Sequence, residues 1–485
     1  MTLDFHDMQG LVARGYGNLR AAAFLLLGID DAAAARRWLA GVSGAVTRGD
    51  ERPEERALHV ALTSTGLERL GLDRAVLDGF SNEFVTGMTT PHRTRILGDL
   101  GESAPDRWEW GGPGTPSVDA ALLLYARDRA GLAALEAEQT EAFARGGVRV
   151  VHRLGTSDLD DNEPFGFGDG ISQPFIEGFS KAGPPETTVR AGEFLLGYEN
   201  EYGLYTDRPL LDAADDPGGT LPRDASGSGR ADLGRNGSYL VFRQLSQDVP
   251  GFWGFLDEAT RNADGSSNPR ARLRLAAKMV GRWPSGAPLT LAPDADDPAL
   301  AKENDFGYHE LDARGDRCPV ASHIRRSNPR DSLDPRPGSA RSWEVNRRHR
   351  LLRRGREYGP PLAIEDALAG GDDAERGLHF ICLNANIQRQ FEFVSHTWLN
   401  NPKFDRLRDD ADPLVAPSLP TGGTFTIPTE GVRERVTNVP RFVAVKGGAY
   451  FFLPGLAALR YLAGLGGQAG GGAGEPGKAS SPFGS

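Results

Sequence analysis

A lone carboxylate among glycines is the first feature with chemical promise: Asp169 lies in 165-FGFGDGISQPF-175, between Gly166, Gly168 and Gly170, with Pro174 just beyond. Glycines let a backbone lie close against a flat or bulky ligand and accept the positive φ of tight turns. An Asp-Gly turn would account for the pair alone. A phosphate cradle suits it less, because the spacing is not GxGxxG and Pro174 interrupts the helix that should follow. A second island, 318-CPVASHIRRSNPR-330, sets His323 among Arg325, Arg326 and Arg330. Such a histidine serves either as a structural hydrogen-bonder or as a metal ligand, and Cys318 and His323 do not form the C-x-x-C-H of covalent haem attachment. The third island, 346-NRRHRLLRRGREYG-359, is strongly basic. A basic run is usually a solvated face. The leucines and Tyr358 interleaved in it imply that part is buried, and a buried arginine needs an anionic partner.

These islands need a frame. Apolar strand patterns run over 20–29, 57–65, 118–128 and 147–156, with helical patterns over 31–42 and 129–144 between them. Asp30 or Asp31 is the N-cap of the first helix. The order β-α-β-(α)-β-α-β suits a ferredoxin-like sandwich, an antiparallel sheet with helices on one face. A looser echo follows, with strands over 237–245, 376–387 and 441–453 and helices over 252–262, 271–283 and 455–465. The expected class is α+β: a ferredoxin-like half over 1–160, a second such half with long loops over 161–465, and a flexible Gly/Ser/Pro tail over 466–485. The Gly-, Pro- and Asp-rich stretches 157–193 and 205–235, and 284–345, read as long ordered loops, and loops of that length are usually functional.

Composition narrows the partners. The chain has 485 residues, 39% hydrophobic and 25% charged, and is long enough for two cores. A formal net charge of −11 argues against nucleic acid and against an anionic membrane surface. Two cysteines, Cys318 and Cys382, exclude a disulfide framework and any thiolate-rich metal site. No apolar run reaches the ~20 residues of a membrane span, and the first residues lack a secretory or twin-arginine pattern, so the expected compartment is the cytoplasm.

Taken together the islands resemble one family. GFGDG is similar to the GxxDG motif of dye-decolourising peroxidases, SHIRRSNPR to their proximal-histidine segment and LLRRGREYG to their distal-arginine segment. The stretch 377-GLHFICLNANIQRQFEFV-394 resembles the core strand that follows, and 8-MQGLVARGYGNLRAAAFLLLGI-29 the first strand. The islands fall in the family's order, and the chain length resembles the larger subgroup that includes the fungal enzymes. The resemblance implies haem b, one per chain, in a dimeric αβ architecture. It makes His323 the proximal axial ligand of the iron, and Asp169 and Arg353 the distal catalytic pair. Arg330, with Asn328 and Pro329, would meet the haem propionates; Gly170, Ile171 and Ser172 would pack on the haem edge; Leu378 and Phe380 would line the distal pocket. It further implies a peroxidase that uses hydrogen peroxide to oxidise anthraquinone and azo dyes, phenols and similar one-electron donors, through a ferryl state of the iron.

The chemistry suits these residue types. An imidazole ligand needs a carboxylate or carbonyl on its other nitrogen, and Glu392, on a neighbouring buried segment, is a candidate. An aspartate with an ordinary pKa near 4 can move peroxide's proton, which predicts an optimum of about pH 3–5. Arg353 stays charged and can stabilise departing hydroxide. Two alternatives use the same residues: a haem-handling protein without turnover, and a hydrolase built on Asp169 and the acids of 158-DLDDNE-163.

Overall fold

The strand β1 (Ala21–Ile29) is apolar from end to end and buried at every position. A strand with no polar alternation needs cover on both faces. The computed structural model, which describes residues 2–144, 147–160, 162–417 and 422–466, supplies it. With β2 (Arg56–Leu62), β3 (Ala120–Ala126) and β4 (Val148–Gly155), β1 forms an antiparallel array in the order β2-β3-β1-β4. The second half repeats it. There β5 (Ser238–Gln247), the short β6 (Leu352–Arg353) and β7 (Arg356–Tyr358), β8 (Gly377–Asn384) and β9 (Val443–Leu453) run in the order β6/β7-β8-β5-β9. Counting β6 and β7 as one interrupted strand, both halves have the ferredoxin-like order.

The halves are joined into one sheet where β9 meets β2, with Phe452 opposite Leu62. The two outer edges also approach each other. The Ser157 amide donates to the Glu357 carbonyl at 2.9 Å, and His379 Nε2 lies 2.9 Å from the Gly155 carbonyl oxygen. The sheet therefore curls toward a barrel. Side chains of one parity, among them Phe24, Leu123, Phe242, Ile381 and Phe451, fill its interior. Phe24 and Phe242 meet edge to face across the two halves, 5.4 Å between centroids. The opposite parity, including Leu25, Leu122, Val241, Cys382 and Phe452, shares a second core with residues of α1 (Ala32–Ser43) and α2 (Arg129–Ala144).

Helix starts follow the expected chemistry. Asp31 accepts from the Ala34 amide at the start of α1. Asp248 caps α3 (Val249–Ala259) and Asn268 caps α4 (Pro269–Val280), each with a proline in the first turn. A third apolar cluster, built from Phe165, Phe167, Phe252, Trp253 and Met279, ties the glycine loop to these helices. Among the described residues no helix is long and apolar enough to cross a membrane. The tail expected over 466–485 lies, apart from Gly466, outside the described residues.

Candidate active site

His323 opens the short helix α5 (His323–Ser327), on a segment fixed by buried Ser322, whose hydroxyl donates to the Lys278 carbonyl of α4. Its Nδ1 lies 2.9 Å from Asp412 Oδ2. Asp412 is buried, and its other oxygen accepts the amides of Leu414 and Val415, both at 3.0 Å. Burial alone would raise this carboxyl, but the His323 imidazole, the Arg326 charge and the Val415 amide hold it below the usual range. An ionised carboxylate can only accept, so Nδ1 is the donor and Nε2 keeps its lone pair. Arg326 locks the helix to the segment that carries Asp412. It donates to the carbonyls of Asp410, Trp398, Leu399 and Asn401.

Glu392 is therefore not the partner of His323. It accepts from Arg93 Nε at 2.8 Å and from the Tyr450 hydroxyl at 2.9 Å, tying the helical segment after β8 to β9 and to the first half of the chain. Sequence proximity to a buried strand identified an acid with a buried partner, but the wrong partner. Glu392→Ala breaks the 2.8 Å pair and leaves buried Arg93 the longer carboxylate contact to Glu83, at 3.5 Å, so it should cost about 1–3 kcal/mol of stability. Chemical denaturation should register that loss, and the optical spectrum of bound haem should stay unchanged.

Arg353, at the end of β6, pairs with Cys382 across the ladder and so shares its face of the sheet, as do Leu378 and Phe380 two and one alternations further along β8. Those two side chains are only half-buried, which is unusual for apolar residues on a central strand. Arg353 Nη1 donates to Asp169 Oδ1 at 2.7 Å. Burial raises the Asp169 carboxyl, yet the Arg353 charge and the Gly170 amide outweigh it and hold the acid below its ordinary range. Asp169 feels the charges of Arg353 and His323, and His323 those of Arg353 and Asp169, so the acid and guanidinium share one electrostatic site with the imidazole. Gly170 has φ +74°, a conformation that demands glycine and turns the chain sharply after the carboxylate. A Cβ there would meet nothing within 4 Å, so conformation, not crowding within the protein, explains this glycine.

Sequence reasoning missed Gln173. Its side chain accepts the Arg353 amide at 3.1 Å and donates to the Arg353 carbonyl at 3.2 Å, clasping strand and loop together. A glutamine three residues past the DG turn was the available signal, but pairing with a backbone 180 residues away leaves no trace in local pattern.

The other expected residues gather beside this pair. Ile171, Asn328 and Arg330 line a cavity of about 340 Å³. Asn328 donates to the Ser172 hydroxyl at 3.1 Å and accepts from Asn346 at 2.9 Å. Pro329 is buried, its carbonyl turned inward to Ser332. Arg330 is buried with φ +54°, stacked 3.9 Å from the Phe306 ring centroid, and its Nε has no acceptor. The same wall holds Arg350, Lys181 and Lys302 against Glu303 and Asp305, with Arg347 paired to Glu201 at 3.1 Å. Arg350 donates to the Ser172 carbonyl at 2.9 Å, and among the described residues no carboxylate pairs with it. Burial, together with the charges of Arg330 and Arg353, pulls its guanidinium down to about 9. Crowded cations with an orphaned donor need an anion. A porphyrin's two carboxylates, apolar ring and imidazole-binding iron fit this donor set. Arg350 is an anion-facing residue the sequence did not single out.

The rest of the basic run finds neutral partners. Arg354 donates to the carbonyls of Leu11 and Val12, and Arg356 to that of Tyr16, so these arginines brace the first residues of the chain without an anion. The acids of 158–163 do not form a paired-carboxylate site among the described residues: Asp158 pairs with Arg129 at 2.8 Å, and Glu163 is folded into the glycine loop. Among the described residues no cluster of three His, Cys, Asp or Glu could hold a bare metal ion.

Comparison with known proteins converges with this geometry. No protein-family model matches the chain. The dye-decolorizing peroxidase msp1 of Mycetinis scorodonius is 32% identical over 425 residues, covering 83% of this chain and 76% of the relative. The multifunctional dye peroxidase DyP2 of Amycolatopsis is 33% identical over 460 residues, covering 90% and 91%. Among solved structures, a fungal DyP-type peroxidase from Auricularia auricula-judae aligns with TM-score 0.76 at 25% identity, over 96% of this chain and 100% of that one. A dye-decolorizing peroxidase complexed with 2,6-dimethoxyphenol aligns with TM-score 0.76 at 26% identity, over 95% and 100%. An acid–guanidinium pair in one electrostatic site with a carboxylate-held imidazole, on a doubled ferredoxin-like sheet, joins 32–33% identity to these curated peroxidases over most of the chain and makes it a member of the dye-decolourising peroxidase family.

Proposed function

We propose that this enzyme binds one haem b and uses hydrogen peroxide to oxidise dyes and phenols, each peroxide taking one electron from each of two donors, with two protons from donors or solvent, and giving two waters. The observation that carries this reading is the 2.7 Å Asp169–Arg353 pair in one electrostatic site with an imidazole already committed, through Nδ1, to Asp412. His323 Nε2 would ligate the iron, Arg330 and Arg350 would meet the propionates, and Ile171 and Ser172 would pack on the porphyrin edge. Leu378 and Phe380 would bound the space where peroxide enters. Bound haem supplies the redox centre that takes oxidising equivalents from peroxide and returns them to donors.

The chain's own groups manage the proton. Ionised Asp169 accepts it from one peroxide oxygen and delivers it to the other, which departs as water. Arg353 orients the carboxylate and stabilises negative charge on the departing oxygen. Asp412, holding Nδ1–H, raises the basicity of Nε2 and fixes the ring. A haem carrier has no use for a distal acid–guanidinium pair held by its own clasp. The test is peroxide-dependent bleaching of an anthraquinone dye by haem-loaded protein; bound haem with no bleaching would return the chain to the carrier reading.

The depressed Asp169 carboxyl sets the pH profile. A group whose folded pKa is lowered stays ionised below its ordinary value near 3.9 and loses its charge only as pH falls further. The acid limb of the rate of reaction with peroxide should therefore lie below that value. Stopped-flow rates across pH 3 to 6 check it, and a limb above pH 4.5 would contradict the pairing.

A further inference from the structure

We infer that Glu163 is a positioning residue for Asp169, its carboxyl folding the glycine loop so that the acid is presented to Arg353; this rests on the distal pair proposed above. Oε1 accepts the Phe167 amide at 3.0 Å, and Oε2 accepts the Phe165 amide at 3.0 Å. The main chain closes the same knot: the Gly166 amide donates to the Glu163 carbonyl at 2.7 Å and the Glu163 amide to the Phe167 carbonyl at 2.9 Å. Asp169 follows two residues after the last of these contacts. Nothing in the sequence pattern marked Glu163, which stood out only as part of an acid cluster.

The knot is anchored to the sheet. Gln247, at the end of β5, donates its side-chain amide to Glu163 Oε2 at 2.7 Å. Gln247 has the parity of Leu245, which lies opposite Leu378, so it stands on the face that carries Arg353. One carboxyl therefore refers the Asp169 loop to the same sheet face that presents the guanidinium. Between the anchors, Phe165 and Phe167 are pinned against Phe252 and Trp253, at centroid separations of 4.5 and 6.3 Å. Three donors converge on two oxygens, a demand that a carboxyl meets fully and a glutamine in part. Burial pushes the Glu163 carboxyl up to about 7, and the acid contacts neither Arg353 nor His323 directly, which fits an architectural group rather than the proton carrier itself.

The test compares Glu163→Ala, Glu163→Gln and the parent as haem-loaded proteins, with Arg353→Leu measured alongside. Glu163→Ala should lower the rate constant for reaction with peroxide by about 10–100-fold, the cost of a displacement near 1 Å. The KM for peroxide should rise to match while kcat for dye oxidation holds. Glu163→Gln, keeping one acceptor oxygen, should restore most of the rate. In the haem-free protein, hydrogen exchange over 165–170 should quicken in Glu163→Ala and much less in Glu163→Gln. Parent-like rate and exchange in Glu163→Ala overturn the inference, and so does a parallel loss of kcat and haem that glutamine does not repair. If Glu163→Ala fails to fold, Gln247→Leu takes its place, with an expected loss of about 3-fold; an unchanged rate there also overturns it. If Arg353→Leu is slow and Glu163→Ala is not, only this inference falls; if neither is slow, the distal reading itself falls.

Discussion

Arg353→Leu should slow the reaction with hydrogen peroxide by about 10²–10³-fold, the loss typical of removing one preorganised charge stabiliser. Two effects add. The departing oxygen loses the group that stabilises its charge, and Asp169 loses the 2.7 Å contact that keeps its carboxyl low and oriented. Haem binding should survive, because the substitution leaves His323, Asp412, Arg330 and Arg350 in place. Leucine keeps much of the volume on the sheet face beside Leu378 and Phe380, and Gln173 clasps the main chain of residue 353 rather than its side chain. Stopped-flow mixing with peroxide measures the effect; a rate equal to the parent's contradicts the distal assignment.

His323→Ala has the other large effect. It removes the imidazole that, among the described residues, commits its second nitrogen to a buried carboxylate, and it strands Asp412 without that N–H donor. Purified protein should carry little haem, or carry it with an altered ligand field, and dye bleaching should fall to background. Absorbance per chain in the Soret region after haem addition reads the first outcome. Added imidazole should recover part of the spectrum, since the space left is the shape of the lost ring. A parent-like spectrum in His323→Ala would remove the proximal assignment.

Much of the frame is legible in the chain because its signals are local. The long strands of the two halves announce themselves as apolar runs or, in β4, as valines and a leucine interleaved with arginines, and Asp31, Asp248 and Asn268 begin helices as short polar caps do. The glycine loop, the histidine and the basic run stand out by composition. What stayed hidden depends on distant partners. The single pairing of Phe452 with Leu62 that makes two sheets one has no sequence mark. The short strands β6 and β7 are masked by arginines with distant partners: Arg353 finds Asp169, and Arg354 and Arg356 find carbonyls near the start of the chain. Asp412 lies 89 residues from His323 in an irregular segment, whereas Glu392 lies on a conspicuous buried one. Burial predicted that Glu392 has a partner; only the fold could say that the partner is Arg93. Gln173 and Glu163 act through main-chain amides, and such contacts favour no particular spacing.

The most direct test of the account is an optical titration: haem added to the haem-free chain, followed by one equivalent of hydrogen peroxide. Uptake should saturate at one haem per chain with a single-histidine ferric spectrum, and peroxide should then cause a rapid spectral change that a dye reverses as it bleaches. Protein that takes up no haem, or a haem spectrum indifferent to peroxide, would contradict it.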